Sequence, residues 1–188
     1  MLVPTITTER LRLRPYELRD AAELTRLIGA REVAVNLLRV PYPYSDEDAR
    51  AFISETKESG EARFAVALAS QEVLIGGIGL RIHSVHARAE LGYWLGVPYW
   101  GSGYATEAAR AVIEYGFDIL ELNRIYASVF RGNSASAKVL ARIGMRHEGC
   151  LRQHVLKWNR FLDLELYGIM RAEWKSLAST PGLKNHTG

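Results

Sequence analysis

Leu11 and Leu13 alternate with arginines over residues 10–15, which predicts a strand with one buried face. Ala21, Leu24, Leu27 and Ile28 then share a helical stripe, with Asp20 and Glu23 at capping-box spacing before it and Gly29 just past it. Residues 33–44 show no period and include Pro41 and Pro43, so they read as a long loop. Ser45 with Asp48 caps a second helix, faced by Ala49, Phe52 and Ile53 and stopped at Gly60. Residues 64–69 and 73–82 alternate on either side of the polar turn Ser70, Gln71, Glu72. They form a hairpin that a further turn at 84–88 extends into a three-stranded antiparallel meander.

The third strand of that meander places Leu91, Tyr93, Leu95 and Val97 on one face and Glu90, Gly92, Trp94 and Gly96 on the other. Pro98 cannot donate to a ladder, so the strand ends or splays there. A central helix follows, with Ala105, Ala108, Ala109, Val112, Ile113, Gly116, Phe117 and Leu120 on its sheet-facing stripe. Residues 124–130 alternate again with Ile125, Ala127 and Val129 inward, so the connection is a parallel crossover. A turn and cap at 131–134 opens a helix carrying Ala137, Leu140, Ala141 and Ile143, which stops at Gly144. Two strands, 145–151 and 161–169, close the chain about a tip at 157–160. The small, polar tail 176–188, broken by Pro181 and Gly182, is expected to fray, leaving one domain over 1–175.

Composition adds mainly exclusions. The 188 residues suit a single core, and 48% hydrophobic with 24% charged residues is ordinary for a soluble globular chain. No apolar run is long enough to span a bilayer and no export signal is visible, so a cytoplasmic protein without a membrane role is expected. The net charge of +3 is compatible with polyanionic ligands, yet the basic residues are scattered, which does not imply nucleic acid. Cys150 is the single cysteine and has no metal-ligand partners; His83 and His86 form an HxxH without a third ligand, so no metal is expected.

The candidate chemistry lies where the central strand meets its helix, at Trp100, Gly101, Ser102, Gly103, Tyr104, Ala105 and Thr106. Glycines there permit positive φ and close approach of a ligand, and the first N–H groups of a helix have no partner within it. With the helix dipole these groups make an anion site suited to a phosphate or pyrophosphate. The alternative is a glycine-rich connection that only lets strand and helix pack closely. A dinucleotide fold also remains open, because Gly101 and Gly103 open a helix and Glu121 follows at roughly the expected spacing. Against it, Thr106 occupies the place of the third glycine, and the turn follows several strands instead of the first.

Four motifs in order, TTERLRLRP at 7–15, ELGYWLGVPYWGSGYATEA at 90–108, NSASAKVLARIGMRHEG at 133–149 and a strand ending in Tyr167 before Trp174, resemble the GNAT acetyltransferases, in particular the branch of the ribosomal-protein N-terminal acetyltransferases of RimJ/RimL type. The resemblance spans nearly the whole chain. It implies an α/β (α+β) fold with a mixed, mostly antiparallel sheet of six to seven strands and about four helices on both faces. It also implies acetyl-CoA as cofactor, in a cleft opened by strands diverging around Leu95 and Ile125. The pyrophosphate would rest on the N–H groups from Trp100 to Thr106, the pantetheine along Leu95, Gly96 and Val97, and a hydrogen bond would come from the Asn133 side chain. For Asn133 the alternative is a helix cap.

The resemblance further implies direct attack of a neutral amine on the thioester, so Cys150 is not needed as a nucleophile. A backbone N–H near Leu95 would face the developing oxyanion. The wider family often places a tyrosine acid where this chain has Leu140, and Ser136, one turn earlier, is the nearest hydroxyl; its alternative role is a backbone hydrogen bond in the first helical turn. Glu90 is the candidate base, acting through water, or else a sheet-edge carboxylate paired with an arginine; His154 and Glu165 are weaker candidates. Tyr93, Trp94 and Trp100 read as core. The acceptor implied is a protein N-terminal α-amine beginning with alanine or serine, with a small amine such as a polyamine, aminoglycoside or metabolite as the alternative, or a non-catalytic acyl-CoA sensor. The chain would act as a monomer or homodimer.

Overall fold

The alternating patterns become strands in the order the sequence sets out, and their lengths decide what lies beside them. The computed structural model describes residues 3–58 and 60–179. Its elements run β1 (Ile6–Thr7), β2 (Leu11–Arg14), α1 (Ala21–Ile28), α2 (Arg31–Ala34), α3 (Asp46–Glu58), β3 (Ala62–Leu68), β4 (Leu74–His83) and β5 (Arg88–Leu95). They continue with α4 (Tyr104–Asp118), β6 (Arg124–Phe130), α5 (Ser134–Arg142), β7 (Arg146–Lys157), β8 (Arg160–Met170) and α6 (Arg171–Ser179). The eight strands form one sheet in the order β1-β2-β3-β4-β5-β6-β8-β7. Every pairing is antiparallel except β5 with β6, where α4 makes the parallel crossover.

The eighth strand is β1, whose two residues are too short to show alternation in the sequence. Helix α2 lies inside the segment that reads as a loop, with Val33 and Ala34 buried as its inward side. Helix α6 continues through residues 176–179, and Leu177 approaches Gly144 so closely that a Cβ there would stand 2.4 Å from it. Residues 180–188 of the expected tail lie outside the described residues.

Two apolar clusters hold the layers. The larger lies between the sheet and α4, where Ala108, Ala109, Val112, Ile113 and Phe117 are fully or almost fully buried. The smaller lies under α1 and α3 and gathers Tyr16, Leu24, Val33, Ala49 and Ile53. The predicted cap of α3 forms as a reciprocal box: the Asp48 N–H donates to the Ser45 hydroxyl at 3.1 Å, and the Ser45 N–H to the Asp48 carboxylate at 2.8 Å.

The expected Asp20 cap of α1 does not form. The Asp20 side chain is instead turned inward, 5% exposed, and both its oxygens accept from the Arg14 guanidinium at 2.8 Å. A bidentate arginine pair offers a buried carboxylate more than a single N–H at a helix end does. The same carboxylate accepts from the Glu17 N–H at 2.9 Å and so fastens the turn leading into α1.

Candidate active site

Strands β5 and β6 stay together for three positions only, Arg88 with Arg124, Ala89 with Ile125 and Glu90 with Tyr126, and then part. Ile125 is therefore still paired, and the opening begins beyond Tyr126 instead of at Ile125. On the other edge of β5, the Gly96 N–H donates to the Ile75 carbonyl at 2.9 Å. Alternation along an antiparallel ladder then turns the backbone groups of the neighbouring residue, Leu95, toward the side that β6 has left. The Leu95 carbonyl accepts from the Trp100 indole N–H at 2.8 Å, and its own N–H faces the opening. The carbonyls of Gly96 and Val97 accept from Tyr99 and Trp100 in a tight turn. That turn leaves Val97 39% exposed.

The glycine turn follows. Gly101 and Gly103 hold φ of +77° and +82°, a region closed to most side chains, and Gly103 stands at the N-terminus of α4 without a side-chain cap. No N–H from Gly101 to Thr106 donates to an acceptor among the described residues, while Glu107 is the first to bond back, to the Gly103 carbonyl at 3.1 Å. These residues lie at the surface or half-buried, so the amides point to solvent and not into protein. Their chemistry fits a diphosphate.

Arg10, which the sequence reading leaves as a strand-edge residue, steadies this turn. It donates to the Ser102 carbonyl at 3.0 Å and to Glu107 at 2.7 Å, and lies over the Tyr104 ring at 4.8 Å. The Glu107 carboxyl is held below its usual range: burial opposes its ionisation, and donation from the Thr8 hydroxyl and from the Arg10 N–H and guanidinium outweighs that.

On the other side of the gap lies a cavity of about 750 Å³. Tyr93, Trp94, Asn133 and Ser136 line its end nearest Leu95, and residues 36–41 roof it. Gly77 makes room for the aromatic floor, since a Cβ there would stand 2.0 Å from the Tyr16 hydroxyl and 2.6 Å from the Trp94 ring nitrogen. Burial pushes the Tyr16 phenol well up, partly offset by a hydrogen bond from Trp94. Tyr93 and Trp94 thus pack against the two core clusters and also form cavity wall, and Trp100 is 47% exposed with its indole N–H holding the strand end. Burial also pushes Tyr93 up to about 12, and its hydroxyl donates to the Ser136 carbonyl at 3.3 Å.

Asn133 caps α5: its side-chain oxygen accepts from the Ser136 N–H at 3.1 Å, and its amide nitrogen donates to Asn36 in the cavity roof at 3.1 Å. The Ser136 hydroxyl has no hydrogen-bond partner among the described residues and borders the cavity. Leu140 is fully buried core. Glu90 also borders the cavity and is 3.3 Å from Arg81, which pairs with Glu61 at 2.7 Å, which pairs in turn with Arg63 at 2.8 Å. This ladder of alternating charge along β3, β4 and β5 escapes sequence reading, because its members lie up to about thirty residues apart and only the sheet register aligns them.

The roof is tied from the far hairpin. Lys157 is 6% exposed and donates to the Leu37 carbonyl at 2.5 Å, its ammonium pKa lowered by desolvation, while Trp158 packs on Tyr42 at 5.5 Å. Of the weaker base candidates, Glu165 on β8 is 2.5 Å from His147 and does not line the cavity beside Leu95; His154 borders a second cavity beyond Glu90. Cys150 is exposed on β7, its thiol pKa raised by desolvation and by the carboxylates of Glu165 and Asp163, and it too borders neither cavity. Among the described residues no His, Cys, Asp and Glu group could hold a metal, and no helix is long and apolar enough to cross a membrane.

Strands parting beside uncapped helix amides, with a cavity behind them, are the architecture of an acyl-CoA-dependent transferase. Residues 10–146 match the acetyltransferase (GNAT) domain family, and the chain belongs to it. It is 34% identical over 170 residues to the uncharacterized N-acetyltransferase YnaD of Bacillus subtilis, covering 90% of this chain and 98% of that one. It is 37% identical over 103 residues to "Putative ribosomal N-acetyltransferase YdaF" of the same organism, covering 54% and 56% of the two chains. It is 25% identical over 172 residues to spermidine N(1)-acetyltransferase of Escherichia coli, covering 92% of each. Among solved structures, a GNAT-family acetyltransferase from Bacillus anthracis superposes with a TM-score of 0.83 at 28% identity, over 90% of this chain and 99% of that one. The protein is an acetyl-CoA-dependent N-acetyltransferase, which sets aside the dinucleotide reading.

Proposed function

We propose that the acceptor is the α-amine of a protein N-terminus. The observation that carries this is the state of the cavity's carboxylates. Glu55, Glu61 and Glu90 are each engaged by Arg63 or Arg81, and Asp48 by the Ser45 cap. A polyamine needs carboxylates free to receive its further ammonium groups, and a single attacking amine does not. The kinship with YdaF supports the same choice, and the kinship with the spermidine enzyme marks the rival.

Acetyl-CoA supplies an activated acetyl thioester. The N–H groups from Gly101 to Thr106 would hold its diphosphate and that of Val97 its pantetheine arm; the amide nitrogen of Asn133 would turn from Asn36 to the same arm. The Leu95 N–H would donate to the oxyanion as the amine attacks. Glu90 would receive the amine's proton through water, with Arg81 holding its carboxylate in place at 3.3 Å. Tyr93 and Ser136 stand together where a thiolate would leave. A phenol raised to about 12 stays protonated, so Tyr93 would donate a hydrogen bond to the thiolate instead of surrendering its proton.

Thiol release with matched acceptors tests the reading: peptides beginning with alanine or serine should give a higher kcat/KM than spermidine or an aminoglycoside. The rate should rise with pH and level near 8, since an α-amine has a pKa of about 7.7 to 8.0, whereas a lysine-type amine near 10.4 would keep gaining about tenfold per pH unit. Preference for spermidine would overturn it.

A further inference from the structure

Beyond Glu90 the acceptor cavity continues into a second one of about 430 Å³. The two share Leu38, Arg39, Glu90, Ser128 and Leu164 as common walls, so a chain leaving the acetyl end along β6 runs from one into the other. The bulge of β7 closes the far side, bringing Leu151, His154 and Val155 to the opening, with Arg88, Arg124 and Tyr126 opposite.

The two cavities differ in charge. In the first, arginines and carboxylates are matched along the ladder. In the second, three arginines, Arg39, Arg88 and Arg124, face one carboxylate, Glu90. Arg124 already has its counter-ion in Glu148, reached by both guanidinium nitrogens and at 2.7 Å by one of them, and Glu90 has Arg81. Arg88 lies over the Tyr126 ring at 5.8 Å, and neither it nor Arg39 meets a carboxylate among the described residues. Two guanidinium groups thus remain in surplus at the mouth of a concave site, whose walls focus their field on whatever enters.

We propose that this second cavity binds an acidic side chain of the acceptor peptide, with Arg39 and Arg88 reading its carboxylate; the proposal rests on the N-terminal acceptor reading above. The position of that side chain follows from the strand. Arg88 is five residues before Tyr93 on β5, about 16 Å at the rise of an extended chain, so an extended peptide whose amine lies at Tyr93 brings its fifth and sixth residues to the arginines. A polycation of similar length meets like charge there.

The test compares two hexapeptides with the same N-terminal serine, one with glutamate at its fifth and sixth residues and one with glutamine. At low salt the acidic peptide should have the higher kcat/KM by about five- to tenfold, the scale of two partly exposed charge pairs. The ratio should shrink toward one in 0.5 M salt, because such pairs are screened. In R39E/R88E the ratio should fall below one, while R39K/R88K, which keeps the charge, should retain a preference for the acidic peptide. Equilibrium binding of both peptides in the presence of CoA reads the same ratio without turnover, so absence of acetyl transfer would fail the acceptor reading alone. Equal binding of the two peptides, or a ratio untouched by R39E/R88E, would overturn the acidic subsite.

Discussion

On one side of the gap between β5 and β6, a continuous run of main-chain amides from Gly101 to Thr106 faces solvent above the larger apolar cluster. On the other, the acceptor cavity draws side chains from β3, β4, β5, β6, α3 and the 36–41 roof, and rests partly on the smaller cluster around Tyr16 and Ile53. On the proposed reading the first surface would receive a part of the cofactor that does not vary, and it is made from backbone, which substitution barely alters. The second must suit a particular amine and is made from side chains, which substitution alters freely. Relatives that act on different amines can therefore share the first and diverge in the second.

That contrast can be broken hardest from below. Replacing Asp20 by Ala takes from the buried Arg14 its bidentate counter-ion and should cost about 3–5 kcal/mol, read by urea unfolding. If the smaller cluster supports chiefly the acceptor side, the KM for the amine should suffer more than that for acetyl-CoA. Within the acceptor side, Glu90→Gln should lower kcat by about a hundredfold with acetyl-CoA affinity nearly unchanged. Unchanged turnover would leave Glu90 only as the partner of Arg81.

The backbone side should answer to conformation. Gly103→Val forces a branched residue to a φ of +82° at the mouth of the amide site, a strain of about 1–3 kcal/mol. Calorimetry should show weaker acetyl-CoA binding by about tenfold or more, with little change in amine KM. The smallest effect belongs to Glu107→Gln, about 1 kcal/mol at pH 7 once solvent screening of its half-exposed partner Arg10 is allowed for. Because the fold holds the Glu107 carboxyl below its ordinary value, its contribution is present above the unfolded pKa near 4.3 and is lost as pH falls through the folded one. Thermal melts of wild type and variant should therefore converge as the pH is taken down below the unfolded pKa.

The same contrast explains what could be read from the chain beforehand. The strand ending at Pro98, the glycines and the stripe of α4 are contiguous, and local rules for turns and helix ends suffice to assemble them. The stripe from Ala108 to Phe117 is buried as periodicity requires. The charge ladder and the cation-rich second cavity are products of register, in which Arg81 meets Glu90 only because β4 and β5 align that way. Asp20 shows how tertiary contacts override a local signal, since a cap sequence serves a buried arginine instead. Tyr93 and Trp94 look like core because strand periodicity does not reveal that β6 turns away beside them. Arg10 could not be linked to a loop ninety-odd residues on without the fold.

The Trp100 indole bond to the Leu95 carbonyl joins the turn proposed for a diphosphate to the strand end proposed for a thioester. With that strut in place the two grips would not slide relative to each other, and the pair would work as a caliper set to the length of one pantetheine arm. A thioester carrying more carbons than acetyl cannot retreat along the arm to make room, so the extra length projects into the space meant for the amine. Discrimination against longer acyl groups would then arise from competition with the second substrate, with no residue dedicated to excluding them.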